Sequence, residues 1–576
     1  MPRLPLLKNL KVKRQSTDTF LGYNRSMKIR DGEFYHMENL SSACYPLMAS
    51  RQKRALVAKL QNAQALCAKG RLIWADGGRL YMEGQEVAGI ELSEGEKSLV
   101  SMGAYILIFP DKLYLNCENP ADFGKIDAEF QSESQVSVKL CKADGSEMAD
   151  IPVADTPPEN PMNGQLWIDS SGSAHSLKQY SSVSDMWVEQ TAYYCRISSE
   201  GLGRDFAAND GVEISGLTGD ASHINGSHIV EKSGEDYILI RALITKSCTQ
   251  SEKVEICRKM PDLDFVTEAE NRLWGCKYGM VDGKALNEIY ACALGDFKNW
   301  NRFQGLADDS YRASVGTDGP FTAAATHLGY PIFFKENCLH KVYISATGAH
   351  RIADTACYGV ELGSHKSVAN MGDRLYYKAP DSICVYEGSL PRSISQNLGD
   401  VKYSAAVGGA MGEKYFVSME DEKAQRHLFV FDSRRGLWHR EDGLNVKSFA
   451  ELGSELFALC ADGRLLAMGG SRGELEGDFY WQADSGLMGY SESGQKYVGR
   501  LILRMKLPAG SEAELFIEYD SEGCFQHLGH VSGSGTGSFS IPIRPRRCDH
   551  FRLRLTGYGE IRLYSIVKQI EIGGDY

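Results

Sequence analysis

The feature that most restricts how this chain folds is a hairpin that keeps returning. Residues 68–84 (AKGRLIWADGGRLYMEG) run as an apolar strand, a turn centred on Asp76, Gly77 and Gly78, and a second strand carrying Leu80 and Tyr81. Residues 101–116 (SMGAYILIFPDKLYLN) repeat the plan with Pro110 and Asp111 at the turn. After a pause the plan resumes at 268–303, 327–344, 370–388, 412–441 and 453–468, so there are two copies before the pause and five after it. Period-2 alternation with turn signals, recurring at roughly 35–45 residues, is the spacing of four-stranded propeller blades. One blade alone leaves its faces wet, whereas seven packed radially bury them and keep only short, protected edges. The predicted fold is all-β: a seven-bladed β-propeller with an inserted small β module and a C-terminal, jelly-roll-like β-sandwich.

The boundaries follow from changes of texture. Residues 1–54 read as an extended N-terminal arm without a core of its own, whose strand around Met27 to Tyr35 is expected to complete the last blade or to run along a neighbouring subunit. Residues 55–130 hold blades 1–2, and residues 131–260 form the insertion. The insertion contains a proline-rich linker at 152–161 (PVADTPPENP) and glycine-rich turns without helical periodicity, which predicts a small β-barrel or two compact β units. Residues 261–476 hold blades 3–7. From 477 to 576 the pattern is strand, Pro-Ala-Gly turn, strand, and it closes with Phe551, Leu553 and Leu555 alternating against basic residues. The stretch SGSGTGS at 532–538 reads as a flexible loop. Very little helix is expected anywhere.

With 576 residues and 43% hydrophobic content there is enough apolar material for several cores. A formal charge of −12 argues against capture of nucleic acid by a basic surface. A mildly acidic wall suits a channel that DNA slides through. The fifteen cysteines include no CxxC pair and no zinc spacing, so they read as buried, reduced hydrophobes. Residues 1–13 (MPRLPLLKNLKVK) lack the apolar core of a signal peptide, and nowhere do 18 apolar residues run together. A protein acting outside the cell that made it is then expected to leave by lysis.

No catalytic constellation stands out. The GxSxG, HExxH and P-loop patterns are absent, and Gly201-Leu-Gly203 lacks the third glycine of a dinucleotide site. An enzyme is not expected, nor is any cofactor or metal site. His223, His228, His527 and His530 read as surface or interface groups. In two copies an aspartate leads a turn that returns to a tryptophan, Asp296 to Trp300 and Asp432 to Trp438. The plain reading is a carboxylate capping the turn and an indole packed between blades. The other is a ligand-stacking ring, a role open to Trp167 and Trp187 as well. The densest basic cluster, Arg544, Arg546 and Arg547 with His550, is a candidate interface whose arginines meet acids across a subunit boundary or touch phosphate. The run holding Arg51 and Arg54 is another candidate.

Taken together, DGEFYHMENLSSACYP with RQKR near the start, the hairpin copies, DGVEISGL in the insertion and PRRCDHFRLRLTGYGEIRLYSI near the end resemble structural proteins of tailed phages and prophages of Gram-positive, gut-type bacteria. The propeller is similar in kind to the tail nozzle class of short-tailed phages, the tubular tail protein B and packaged-DNA stabilization proteins. The resemblance implies a virion protein of the phage tail, made in the host bacterial cytoplasm and assembled as a homo-oligomeric ring of six copies. Its implied partners are the portal or adaptor, other tail proteins and, transiently, the genomic DNA that it retains and conducts at ejection; no membrane is involved. An alternative stays open: a propeller glycosidase, or a module that binds carbohydrate or a host surface through Trp167, Trp187, Trp300 or Trp438.

Overall fold

The computed structural model describes residues 11–489, 494–533, 535–544 and 546–572. Residues 1–10, the most proline-rich part of the arm, lie outside them. The fold is nearly all-β, with 54% of the chain in strands and 2% in helix, so strand pairing decides every contact that matters. No helix among the described residues is long and apolar enough to cross a membrane.

Four-stranded antiparallel meanders recur, each built from strands consecutive in sequence. One runs through Ala63–Ala68, Leu72–Asp76, Arg79–Met82 and Gln85–Glu91, and a second through Ser98–Met102, Tyr105–Phe109, Leu113–Asn116 and Phe123–Lys125. Others run through Phe265–Ala269, Arg272–Val281, Lys284–Ala291 and Tyr311–Ser314, through Ala323–His327, Tyr330–Lys335, Cys338–Tyr343 and Arg351–Ala356, and through Ala369–Met371, Arg374–Ala379, Ser382–Tyr386 and Arg392–Ser393. The middle two strands of each are the hairpins read in the sequence. They bury large side chains, such as Tyr376 and Tyr377.

The chain separates into two compact units, one of residues 1–99, 332–340 and 354–576 and the other of residues 100–331 and 341–353. In the first unit, the strands that lead successive meanders lie side by side: Ala369–Met371 beside Tyr403–Met411, that strand beside Val446–Leu452, and Val446–Leu452 beside Ala63–Ala68. Small residues dominate there because the backbones come close. A Cβ on Gly409 would stand 2.5 Å from Phe449 Cβ on the next leading strand.

The N-terminal residues are woven through this unit. Ala55–Lys59 pairs with Arg464–Ala467, adding a fourth strand to Val446–Leu452, Glu455–Cys460 and Arg464–Ala467. The strand that completes the last meander is therefore Ala55–Lys59 and not the segment around Met27 to Tyr35, because its register continues the antiparallel order of that sheet. Gly22–Tyr23 and Glu33–Glu38 instead join the meander Tyr403–Met411, Lys414–Asp421, Arg426–Asp432 and Leu437–Arg440 to Tyr480–Ser485, Phe551–Tyr558, Glu512–Tyr519 and Gln526–Ser532 in one ten-stranded sheet. A second sheet pairs Lys11–Thr17 and Met48–Ser50 with Arg562–Ile572, which itself pairs with Lys496–Leu507. The arm thus shares the core of the C-terminal strands: Phe34, Leu40 and Met48 pack in one cluster with Leu501, Leu515, Leu553 and Ile566. Gly535–Pro542 pairs with Lys496–Leu507, with Gly537 opposite Met505, so most of the stretch expected to be a loop at 532–538 is strand, its polar side chains facing outward from a paired backbone.

In the second unit the insertion forms two β units. An eight-stranded sheet, entered by Ala128–Gln131 and left by Glu255–Arg258, wraps a core of Val138, Ile197, Ile214, Ile238 and their neighbours. A four-stranded sheet of Val153–Ala154, Leu166–Asp169, Ser176–Ser181 and Met186–Glu189 accompanies it.

All fifteen cysteines are free thiols. Burial pushes those of Cys292 and Cys460 up to about 12, so they behave as small uncharged hydrophobes. His439, in Leu437–Arg440 and 1% exposed, has a buried Nδ1 without a partner among the described residues. Burial first, and then the charge of Lys414, holds its imidazole well below the ordinary value of 6.5. The unfolded chain takes up this proton below 6.5 and the native chain does not, so stability falls as pH falls from there. Denaturant unfolding of His439→Phe is expected to lose about 2 kcal/mol less than the parent between pH 6.5 and pH 5. Parallel losses in the two proteins would show that His439 does not carry this dependence.

Candidate functional site

Arg51 and Arg54, read as an open basic run, are 6% and 4% exposed and are fastened inside their own unit. Arg51 Nε donates to Asn39 Oδ1 at 2.7 Å, its Nη1 pairs with Glu476, and its guanidinium lies 4.0 Å over the ring of Phe479. Arg54 donates to Asp442 Oδ2 at 2.6 Å and to Glu441 Oε2 at 2.7 Å. Burial by itself would raise the carboxyl of Asp442. The charge and hydrogen bond of Arg54, helped by Arg51, outweigh it and hold that carboxyl below the usual carboxylate range. Neither arginine has a face left for a partner, because its acids come from the same chain.

The C-terminal cluster stands at the surface. Arg544 is exposed, and Arg546 lies 5.2 Å over the ring of Tyr519 and pairs with Glu522. Arg547 Nε donates to the Tyr497 hydroxyl at 2.6 Å, and His550 Nε2 is 2.7 Å from Ser521 Oγ. Within one chain these contacts already engage Arg546, Arg547 and His550, so the acid expected across a subunit boundary is for Arg546 its own Glu522.

Three of the four tryptophans, Trp167, Trp300 and Trp438, are buried, and only Trp187 is partly open. Trp300 is 2% exposed and donates to Phe297 O at 2.9 Å, while Asp296 accepts from Lys298 N at 3.1 Å and from Asn299 Nδ2 at 2.6 Å. Trp438 is 1% exposed, donates to Ile394 O at 2.8 Å and packs 5.0 Å from Phe431, with Asp432 accepting from Arg435 N at 3.1 Å. Both pairs are capped turns with packed indoles. Trp167 and Trp187 sit together on the small sheet of the insertion.

An arrangement not read from the sequence joins Cys338, His340 and Asp354. The thiol lies 3.8 Å from His340 Nε2, and His340 Nδ1 is 2.6 Å from Asp354 Oδ1. That is the connectivity of nucleophile, base and orienting acid. Burial, however, outweighs Asp354 and pushes the imidazole below its ordinary value, and His340 and Cys338 are 0% and 6% exposed. The thiol and the imidazole are closed off from solvent and only Asp354 reaches it, so the array is a polar contact between adjacent strands. Its signal was in the strand spacing, where Cys338 and His340 at i and i+2 share a face, but Asp354 joins only through the pairing of two strands.

A cleft of about 960 Å³, wholly in the second unit, is walled by Lys112, Tyr114 and Asp127, by Arg204, Phe206, Asp210 and Arg258 of the insertion, and by Asp296 and Lys298. Its charges are largely spent on one another. Lys112 Nζ donates to Met260 O at 2.8 Å and lies 2.8 Å from Asp262 and 3.4 Å from Asp127, and Lys298 Nζ donates to the Tyr114 hydroxyl at 3.1 Å. At its floor Asp210 pairs with Arg258 and accepts from Asn299 Nδ2 at 3.1 Å, while Asn299 Oδ1 accepts from Gly211 N at 2.9 Å. Asn299 is 0% exposed and ties the meander of residues 265–314 to the insertion from both ends of its amide. The cleft therefore fixes the pose of the insertion. No group of three or more His, Cys, Asp or Glu side chains placed to hold a metal occurs among the described residues.

No protein-family model matches the chain, and no curated protein matches it. Among solved structures it is similar to a putative 6-phosphogluconolactonase from Bacteroides uniformis, at 9% identity and a TM-score of 0.24, over 71% of this chain and all of that one. It is also similar to an exo-β-1,3-galactanase from Phanerochaete chrysosporium, at 10% identity and a TM-score of 0.17, over 77% of this chain and all of that one. A third similarity is to the cysteine protease and lectin-like domains of a surface layer associated protein of Clostridium difficile, at 8% identity and a TM-score of 0.13, over 26% of this chain and 47% of that one. At these scores the likenesses assign neither fold nor activity.

Replacing Asn299 by Ala leaves Asp210 Oδ1 and Gly211 N without their buried partner. A loss of about 2–4 kcal/mol is expected, read as faster amide hydrogen exchange in Gly211–Ser215 and Glu255–Arg258 while Arg562–Ile572 keeps its protection. Unchanged exchange in those two strands would show that the insertion is held by other contacts.

Proposed function

We propose that the chain is a seven-bladed β-propeller serving as a structural ring component of a phage tail, of the nozzle class that its sequence resembles. What supports the propeller is the side-by-side packing of leading strands, with Val446–Leu452 next to Ala63–Ala68 and Ala55–Lys59 finishing the last meander. Last and first meanders that neighbour each other, joined by a strand from the N-terminal side, are how a radial array closes without free edges. In this reading the meanders at 63–91, 98–125, 265–314, 323–356, 369–393, 403–440 and 446–467 with 55–59 are the seven blades.

A closed array of meanders is stiff, and stiffness is what a tail conduit under internal pressure requires. The C-terminal strands share a core with the arm and continue the sheet of the 403–440 meander, so they brace that same unit. In this reading the protein acts through subunit and adaptor contacts, retains and conducts DNA through a ring, and performs no chemistry. It is made in the bacterial cytoplasm and carried in the virion.

The test is direct. Purified particles from a producing strain are expected to yield peptides of this chain by mass spectrometry, and electron microscopy of those particles is expected to show it as a ring of six copies at the tail. Particles free of the polypeptide, or a strictly monomeric copy in its native assembly, would discard the proposal.

A further inference from the structure

The four-stranded sheet of the insertion turns one face to the module's core, where Ile168 and Leu177 are buried and Leu166 packs. Strand register puts the alternate residues on the opposite face. Trp167 pairs with Lys178, which pairs with Glu189, and Tyr180 pairs with Trp187. The outward face of a half-buried antiparallel sheet is normally polar. This one carries two indoles and a phenol. Trp167 and Trp187 meet edge to face at 5.3 Å, and Tyr180 stands 5.5 Å from Trp187. Trp167 is 4% exposed and its N–H is spent on Ala154 O at 3.0 Å. Trp187 is only half-buried, and its indole N–H has no partner among the described residues.

Charged groups frame these rings in fixed positions. Lys178 Nζ lies 2.5 Å from Asp169 Oδ2 and 5.3 Å from the centre of the Trp167 ring. Asp169 Oδ1 accepts from the hydroxyl of Ser171 at 2.6 Å and from its N–H at 2.9 Å. The Tyr180 hydroxyl donates to Asp185 at 2.5 Å, and Glu189 is exposed at the end of the row. A purely apolar partner would strand these charges, and a purely polar one would leave Trp187 wet. A pyranose fits both demands, because it has a C–H face to lay on an indole and hydroxyls around its rim for carboxylate and ammonium groups. Three carboxylates (Asp169, Asp185, Glu189) against one ammonium (Lys178) leave the face net negative and disfavour acidic sugars.

We infer that this face of the inserted module is a binding site for neutral hexopyranose chains, with Trp187 as the stacking platform and Tyr180, Lys178 and Asp169 around it. The inference goes beyond the ring reading and rests on this sheet alone.

The test is affinity gel electrophoresis of the full chain in mixed-linkage β-glucan, galactomannan and soluble chitin oligosaccharide conjugates, with polygalacturonate as the acidic comparison. The parent is expected to be retarded by at least one neutral polymer and not by polygalacturonate. Trp187→Ala is expected to weaken that retardation about tenfold or more, and Trp187→Phe to stay within about threefold of the parent. Thermal unfolding of both variants is expected to match the parent, since the ring is half exposed. If Trp187→Ala shifts unfolding, Lys178→Ala provides the second reading and is also expected to weaken binding. No retardation in any neutral polymer, retardation unaltered in Trp187→Ala, or preference for polygalacturonate would overturn the inference. Because the readout needs no ring, failure here leaves the ring test standing, and the reverse holds too.

Discussion

Five side chains hold the N-terminal part of this protein in place: Arg51 and Arg54 with Glu441, Asp442 and Glu476. Two guanidinium groups taken almost wholly out of water are costly, and such a cluster stabilises only when its geometry is good and its remaining hydrogen-bonding groups are satisfied. Here Asn39, the backbone of Gln52 and the ring of Phe479 supply such contacts to Arg51, whereas the Nε of Arg54 is buried without a hydrogen-bond partner among the described residues. Removing one acid would leave a buried cation without its counter-charge, so the cluster behaves as a unit. It fixes the three passages of chain that cross there, and Ala55–Lys59 starts directly from Arg54.

That strand finds its room prepared. Gly473, at φ +103°, lets the chain turn away where a Cβ would stand 2.2 Å from Leu56 O. The ionic cluster, the glycine and the strand register thus agree on one placement for the arm. Agreement between levels of this kind marks a sequence that specifies a single structure.

How much of this was legible depends on which strand is considered. The middle strands of each meander announce themselves, as YILIF at 105–109 and LFVF at 428–431 do, because both faces are buried and the residues are large. The leading strands, such as AAATH at 323–327, are built from small residues where backbones crowd, and they look like turns or nothing. The outer strands are short and exposed, as in Arg392–Ser393. The arm was misread for a related reason: Arg51 and Arg54 look like an open basic run because their acids lie 387 to 425 residues further along. Asp296 and Asp432 were readable as turn caps because their partners are within a few residues. The gathering of Trp167, Tyr180 and Trp187 was half visible, as two tryptophans after turns, and only strand register brought the tyrosine and Lys178 beside them.

The late pairing of Ala55–Lys59 bears on how the protein is born. On the ribosome this segment emerges early, yet its partner Arg464–Ala467 appears some 400 residues later. Throughout that interval a strand edge stays unsatisfied, and pairings across such sequence distances form slowly. A polypeptide cut short by a premature stop or a nick lacks the partner altogether and keeps its edge bare. Completing this one sheet therefore depends on synthesis having run nearly to the end of the chain.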